Sequence, residues 1–256
     1  MKIVTSKDYI GVFDSGVGGI SVLRHLRQMM PGERYLYFGD TANAPYGCRP
    51  TEEVRRLTMD AIEHMLEEYP IKALVVACNT ATAAAIRELR SKYADLIIIG
   101  IEPALKMGAD KFPGGRIGVM ATPVTLREEK FDILLHRFHT SCSITKIPAP
   151  GLVELIEAGQ ADTEQTRALL TRVLAPYIGQ LDALVLGCTH YPFAAAAIRQ
   201  VLGPEVALLD GSEGTARETK RRLSVAGLLA PKGEGELLLT ASGNQAEFVK
   251  LAETLL

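Results

Sequence analysis

The stretch "ALVVACNTATAAAIR", residues 73–87, returns later in the chain as "ALVLGCTHYPFAAAAIR", residues 183–199. Each copy has the pattern of a short buried strand, then a cysteine, then an alanine-rich helix that ends in Ile-Arg. Aligning the two copies pairs Cys78 with Cys188. Two extra residues in the second copy bring the Ile-Arg ends back into alignment. Repetition over such a distance indicates a duplicated architecture.

A second pair of segments supports the duplication. "IGVFDSGVG", residues 10–18, matches "IGVMATPVT", residues 117–125, at nearly the same offset. The sequence therefore predicts two pseudo-symmetric α/β lobes with the active site in the cleft between them. Residues 1–98 plus a returning tail, 208–256, form the first lobe, and residues 99–207 form the second.

Short apolar runs alternate with helical periods along the whole chain. The predicted strands are "YIGVF", "YLYF", "ALVVA", "LIIIG", "RIGVM", "ALVLG" and "VALLD". Helices are predicted between them, for example over residues 51–69, 126–138 and 163–177. Apolar strands with intervening helices imply mostly parallel sheets flanked by helices on both faces. The only linker-like segment is "LLAPKGEGE", residues 228–236.

Bulk composition excludes several classes of protein. The net charge of −2 and the pI near 6.2 give no general attraction to nucleic acid or to an anionic membrane. No apolar run reaches the roughly 18 residues that a spanning helix needs. The N-terminal "MKIVTSKDYIGVF" lacks the long apolar core of a signal peptide, so we expect a cytoplasmic protein with reduced thiols. The four cysteines form no C-x-x-C pair, which argues against a structural zinc site.

The matched cysteines carry the chemical prediction. Each follows a predicted strand and precedes a helix, at the edge of a parallel sheet where ligands bind. A helix N-terminus favours both a thiolate and a substrate carboxylate. Two thiols that flank one cleft can remove a proton from one face of a molecule and return one to the other.

Each feature also has a structural interpretation. A cysteine that ends an apolar strand is usually a small buried hydrophobe, but two at matched positions, each followed by polar residues, favour chemistry. Cys188 and His190 could start a metal site, although no third ligand lies nearby. The glycines of "DSGVGG" could hold a phosphate, but they miss the G-x-G-x-x-G spacing.

Five motifs together resemble one family. They are "FDSGVGG" (13–19), "YFGDTANAPYG" (37–47), "ACNTATA" (77–83), "LVELIEAG" (152–159) and "GCTHYPF" (187–193). The chain is similar over nearly its whole length to the glutamate racemases, within the cofactor-independent aspartate/glutamate racemase family. That resemblance implies two pseudo-symmetric lobes, no cofactor and no metal, a homodimer, and D-glutamate made for peptidoglycan.

The resemblance also implies roles for individual residues. Cys78 and Cys188 are the expected acid/base thiols, and Asp14 and His190 the expected supporting groups. The positions expected to hold the substrate's ammonium and carboxylates are Asp14, Ser15, Tyr46, Gly47, Asn79, Thr80, Thr189 and His190. Further candidates are Pro45, Thr122 and Glu154. Which thiol acts on which enantiomer is left open.

The expected reaction places a chemical demand on the two thiols. The α-proton of an amino acid is far less acidic than a thiol of pKa about 8.5, so placement and aligned donors must help a thiolate remove it.

Two rival functions stay open. One rival is a racemase for another acid, such as aspartate or a hydantoin. The other is a binding module that clamps glutamate between its lobes without exchanging the α-proton.

Overall fold

A computed structural model of the protein describes residues 4–138, 140–231 and 233–256. Residues 1–3, which open the predicted first lobe, lie outside that part. The chain forms two parallel sheets, one of five strands and one of four. Their strands are β1 (Tyr9–Asp14), β2 (Arg34–Gly39), β3 (Ile71–Val76), β4 (Ile97–Gly100), β5 (Arg116–Ala121), β6 (Ser143–Pro148), β7 (Ala183–Leu186), β8 (Ala207–Asp210) and β9 (Glu236–Ala241).

Helices follow most strands and cover the sheets. They are α1 (Ile20–Met29), α2 (Thr51–Glu68), α3 (Asn79–Lys92), α4 (Leu105–Lys111), α5 (Pro123–Arg127), α6 (Glu129–His136), α7 (Leu152–Glu157), α8 (Glu164–Leu174), α9 (Ala195–Leu202), α10 (Ser212–Val225) and α11 (Gln245–Leu255). None of the helices in the described ranges is long and apolar enough to cross a bilayer.

The strand order repeats between the two sheets. The first sheet runs β4-β3-β1-β2-β9 and the second runs β8-β7-β5-β6 when read in the same sense. Strands β1 to β4 therefore correspond one by one to β5 to β8, and β9 is an addition to the first lobe. The predicted fold class, two similar α/β lobes with parallel sheets, is confirmed.

The central strands form the core of each lobe. Val12 of β1 lies between Val75 of β3 and Tyr37 of β2, and every residue of β1 is buried. In the second lobe Val119 of β5 pairs with Val185 of β7. Strands covered on both faces need apolar residues at every position, which is why they read as continuous apolar runs.

The predicted lobe limits fall inside two strands. Residue 98 lies within β4, which pairs with β3 in the first sheet, and residue 207 opens β8, which pairs with β7 in the second. The returning tail supplies β9, which pairs with β2. The division of the chain into a first lobe of residues 1–98 plus 208–256 and a second lobe of residues 99–207 stays a prediction.

Two strands and one helix differ from the sequence prediction. Strands β6 and β9 were not expected, because both are short of apolar residues for a strand: β6 includes Lys146, and the three leucines of β9 stand between Glu236 and Thr240. The helix expected over 126–138 is divided into α5 and α6, because the backbone at Glu128 is extended (φ −70°, ψ 135°).

Candidate active site

Both cysteines of the repeat follow the strand next to the central one. Cys78 comes after β3 and Cys188 after β7, and in each lobe the preceding residue donates its N–H to the central strand over 2.7 Å. These pairs are Ala77 with Phe13, and Gly187 with Met120. The strand order reverses between β3 and β1 and between β7 and β5, so both thiols lie at the switch points where parallel sheets bind ligands.

Cys78 caps a helix and is almost fully buried. Its Sγ accepts the Ala81 N–H of α3 over 3.4 Å and lies 3.6 Å from Ser15 Oγ. Burial raises the pKa of the Cys78 thiol to about 12, and the charges of Asp14 and Cys188 add to the rise against the opposing hydrogen bonds.

Cys188 has a different support. The expected helix does not follow it directly: a 3₁₀ turn over Tyr191–Ala194 intervenes before α9, at the place of the two inserted residues. The Cys188 sulfur instead lies 3.7 Å from Nδ1 of His190. The duplicated backbone therefore presents two thiols with unlike partners.

His190 is held by Glu157, a residue that the sequence analysis missed. The His190 Nε2 and Glu157 Oε1 are 2.5 Å apart, and the same oxygen accepts the Val17 N–H over 2.9 Å. Burial opposes protonation of His190, but its hydrogen bonds with Cys188 and Glu157, and their charges, raise the pKa of the imidazole well above its ordinary value. The His190 contacts lower the pKa of Glu157 despite its burial.

Glu154, the predicted candidate in the same motif, is not the glutamate that bonds to His190. It is exposed on α7, about one turn before Glu157. The motif "LVELIEAG" contains both glutamates, so the sequence holds the correct segment, but only the packing of α7 shows which carboxylate reaches His190.

Asp14 connects the two lobes. One carboxylate oxygen accepts the Gly16 N–H over 2.8 Å, and the other accepts the Thr189 hydroxyl of the second lobe over 3.0 Å. Burial raises the pKa of Asp14, and the charge of His190 and these hydrogen bonds act against that rise. Two adjacent residues of the first lobe thus reach towards the two cysteines: Ser15 contacts Cys78, and Asp14 accepts a hydrogen bond from Thr189, the residue after Cys188.

Three threonine hydroxyls meet across the cleft. Thr80 of the first lobe lies 3.1 Å from Thr122 and 3.3 Å from Thr125 of the second, and the latter two are 3.0 Å apart. Thr80 and Thr122 were predicted and Thr125 was not, although the repeat places it opposite Gly18. All three are buried.

Asn79 carries an acceptor without a donor. Its Oδ1 is buried and has no hydrogen-bond partner among the described residues. Because an unmet buried acceptor costs about 1–3 kcal/mol, such an atom next to Cys78 suits a ligand that brings an N–H.

The loop with Pro45, Tyr46 and Gly47 closes the cleft from the first lobe. Tyr46 is buried, and its hydroxyl donates to Asp40 over 2.5 Å. A Cβ on Gly47 would lie 2.7 Å from the Thr122 methyl, so the loop touches the second lobe. Of the predicted site residues, Asp14, Gly47, Thr80, Thr122 and Thr189 therefore lie where the two lobes meet. Among the described residues, no His, Cys, Asp and Glu side chains gather into a group that could hold a metal ion.

Comparison with known proteins agrees with this geometry. Residues 10–219 match the family described as Asp/Glu/Hydantoin racemase. The chain is 48% identical over 255 residues to the glutamate racemase of Bifidobacterium adolescentis. The alignment covers 96% of this chain and 97% of the relative. The chain belongs to this racemase family. The membership predicted from its motifs is confirmed.

Solved racemases share the whole fold. The glutamate racemase of Thermus thermophilus, in complex with beta-chloro-D-alanine, matches with a TM-score of 0.85 and 38% identity over 98% of this chain and 94% of that one. The Escherichia coli glutamate racemase, in complex with L-glutamate and the activator UDP-MurNAc-ala, matches with a TM-score of 0.87 and 30% identity over 97% and 95%. The two-lobed architecture is therefore the architecture of the racemase family.

Proposed function

We propose that this protein interconverts L-glutamate and D-glutamate by moving protons at Cα between Cys78 and Cys188, without a bound cofactor. The observation that carries the proposal is the pair of buried thiols at equivalent strand ends of two duplicated lobes. Asp14, next to the Ser15 that contacts Cys78, accepts a hydrogen bond from Thr189, which is next to Cys188. Relatives named glutamate racemase, matched over nearly the whole chain, support the substrate.

The proposed step needs one thiolate and one thiol. The thiolate removes the α-proton, the electron pair of the C–H bond passes to Cα and its carboxylate, and the opposite thiol delivers its proton to the other face of Cα. The two sulfurs end with exchanged protonation states, which makes the enzyme ready for the reverse reaction. Fixed placement and aligned donors lower the cost of the carbanion.

The ligand-free state keeps Cys78 protonated. With a pKa of about 12, this thiol is neutral at physiological pH. A substrate ammonium beside Asp14 and Asn79 would add a positive charge to the site and make the thiolate less costly. We therefore assign the Asn79 Oδ1 and the Asp14 carboxylate to the ammonium group. We assign the two carboxylates of the substrate to the remaining residues, which are Ser15 and the pairs Tyr46–Gly47, Thr80–Thr122 and Thr189–His190.

The test is isotope exchange in deuterated water. Wild-type protein should introduce deuterium at Cα of either enantiomer without added pyridoxal phosphate, as followed by NMR, and should racemise glutamate, as followed by circular dichroism. Cys78→Ala and Cys188→Ala should each lower racemisation by at least about 10²- to 10⁴-fold, because each removes an acid/base group.

Cys142→Ala is the matched control, since Cys142 is also buried but lies after α6, away from the cleft. Near-normal turnover in either test variant would disprove the two-thiol assignment. L-Aspartate and a hydantoin, offered in the same assay, separate glutamate from the other substrates of the family.

We further infer that the enzyme acts as a cytoplasmic homodimer whose product serves peptidoglycan synthesis. This inference is supported by the family resemblance. Sedimentation of the purified protein measures the assembly, and D-glutamate auxotrophy of a deletion strain measures the role.

A further inference from the structure

Asp40 collects hydrogen bonds from three side chains. It lies just after β2 and is buried, and its carboxylate accepts the Tyr46 hydroxyl over 2.5 Å and the Ser242 hydroxyl over 2.6 Å. The Asn43 amide donates to both oxygens over 3.1 Å. A buried carboxylate bound in this way fixes the donors around it, because charge-assisted hydrogen bonds are short and strong.

Ser242 reaches this cluster from the far end of the chain. It follows β9, the strand that the second lobe lacks, and its N–H donates to the Gly39 carbonyl over 3.1 Å. Its hydroxyl also accepts the Ala42 N–H over 3.1 Å while it donates to Asp40. With both functions of the hydroxyl engaged, the direction of its hydrogen bond to Asp40 is defined.

The cluster holds the loop that closes the cleft. Tyr46 is buried with its ring 6.5 Å from that of Phe13, and Asp40 binds its hydroxyl. The next residue, Gly47, lies against the Thr122 methyl of the second lobe with no room for a Cβ. A shift of Asp40 would therefore move the Tyr46–Gly47 backbone relative to the opposite wall of the site.

We propose that Ser242 is a positioning residue, which acts through Asp40 to hold the Tyr46–Gly47 segment in its substrate-binding place. The C-terminal strand β9 is then a working part of the active site as well as an edge of the sheet. This inference rests on the proposed function, because it takes the Tyr46–Gly47 segment to contact glutamate.

The test variant is Ser242→Ala. Since Ser242 is exposed, the change removes one hydroxyl without opening the core. We expect the dissociation constant for D-glutamate, measured by calorimetry, and KM to rise about tenfold, the scale of one lost hydrogen bond to a charged group. The kcat should change by less than about threefold, because both thiols keep their surroundings.

Two further variants separate positioning from stability. Ser242→Thr keeps the hydroxyl and should restore binding. Thr240→Val removes the hydrogen bond that Thr240 of the same strand donates to the Tyr37 carbonyl over 3.1 Å, and should leave binding unchanged. Equal affinities in Ser242→Ala and Thr240→Val, or no recovery in Ser242→Thr, would overturn the inference. Glutamate binding without racemisation by the wild type would overturn only the proposed function.

Discussion

At the scale of single residues, the two thiols occupy equivalent places with different neighbours. Cys78 relies on a helix N–H and on Ser15, whereas Cys188 relies on His190. An imidazole beside the second sulfur can give or take the proton that the sulfur exchanges. Duplication therefore preserved the backbone positions, and the side chains around them diverged.

Glu157→Gln tests the role of the carboxylate behind His190. Glu157 keeps the imidazole protonated to a higher pH than usual, so its removal lowers the pKa of His190 and the imidazolium is lost at a lower pH. If turnover needs the imidazolium, the alkaline limb of the plot of kcat against pH should move to lower pH. Nitrogen NMR of the His190 ring should show its titration moving in the same direction.

Glu154→Gln is the matched control, on the same helix but exposed. It should leave both the rate profile and the His190 titration where they are. An unchanged profile in Glu157→Gln would show that the imidazole charge does not limit turnover.

The sequence predicts individual residues as far as local patterns reach. The paired cysteines and the polar residues beside them are visible in the repeat, and their catalytic roles remain predictions. Glu157 and Asp40 could not be assigned, because their partners lie in distant segments: His190 for the first and Ser242 for the second. Contacts of that range depend on packing that no local pattern encodes.

At the scale of elements, the loop between β1 and α1 depends on how closely it approaches the second lobe. A Cβ on Gly18 would lie 2.3 Å from His190 Nδ1 and 2.7 Å from the Thr189 hydroxyl. Neither group can move freely, because both are buried and hydrogen-bonded. The loop needs glycine here so that the two lobes can close.

Gly18→Ala should therefore damage activity more than stability. A displacement of about 1 Å at the site can cost about 10²-fold in rate, so we expect kcat/KM to fall on that scale. Far-ultraviolet circular dichroism should remain that of the wild type. Wild-type kcat/KM in this variant would show that the lobes tolerate a wider cleft.

Gly214→Ala provides the comparison. Gly214 lies inside α10 with open space around its missing Cβ. The exchange should stabilise the helix by up to about 1 kcal/mol, since alanine is the better helix former, and should leave kcat/KM unchanged. Urea unfolding and the racemase assay measure the two effects.

Whether an element could be predicted depended on its burial. The central strands were visible because burial on both faces demands apolar residues throughout, as in β1 and β7. Strands β6 and β9 were not, since water covers part of their surface and polar residues such as Lys146 interrupt the apolar run, whereas the edge strands β4 and β8 kept theirs. Thr240 and Ser242 are among the residues hidden from prediction for this reason.

At the scale of the whole molecule, a buried ion pair ties the tail to the first lobe. Lys72 at the start of β3 donates to Glu33 over 2.5 Å, to the Ser6 carbonyl over 2.6 Å and to the Leu228 carbonyl over 3.0 Å. Glu33 in turn accepts the Ala230 N–H over 2.8 Å. The segment that looked like a simple linker is therefore anchored before it reaches β9.

Lys72→Met should be strongly destabilising. The variant keeps most of the side-chain volume but leaves the Glu33 carboxylate buried without its partner, a change that typically costs about 3–5 kcal/mol. Urea unfolding measures the loss. Lys92→Met, which breaks the exposed pair of Lys92 and Glu63, should cost far less, because solvent screens that pair. Equal losses in the two variants would refute the anchoring role.

The plan of the molecule was the part most open to prediction. A repeat of strand, cysteine and helix is enough to indicate two lobes, because equivalent segments occupy equivalent places in a duplicated fold. The repeat contains no information about β9, which has no counterpart, and the docking of the tail through Lys72 and Glu33 is visible only in the structure.

The unlike partners of the two sulfurs have a consequence for kinetics. Mirror-image amino acids have equal free energies in water, so thermodynamics obliges a racemase to show the same kcat/KM in both directions. The imidazole on one side and the helix terminus on the other can make one enantiomer bind more tightly, but that enantiomer must then turn over more slowly in proportion. The asymmetry of the cleft can therefore alter saturation and maximal velocity, and it leaves the final mixture of enantiomers unchanged.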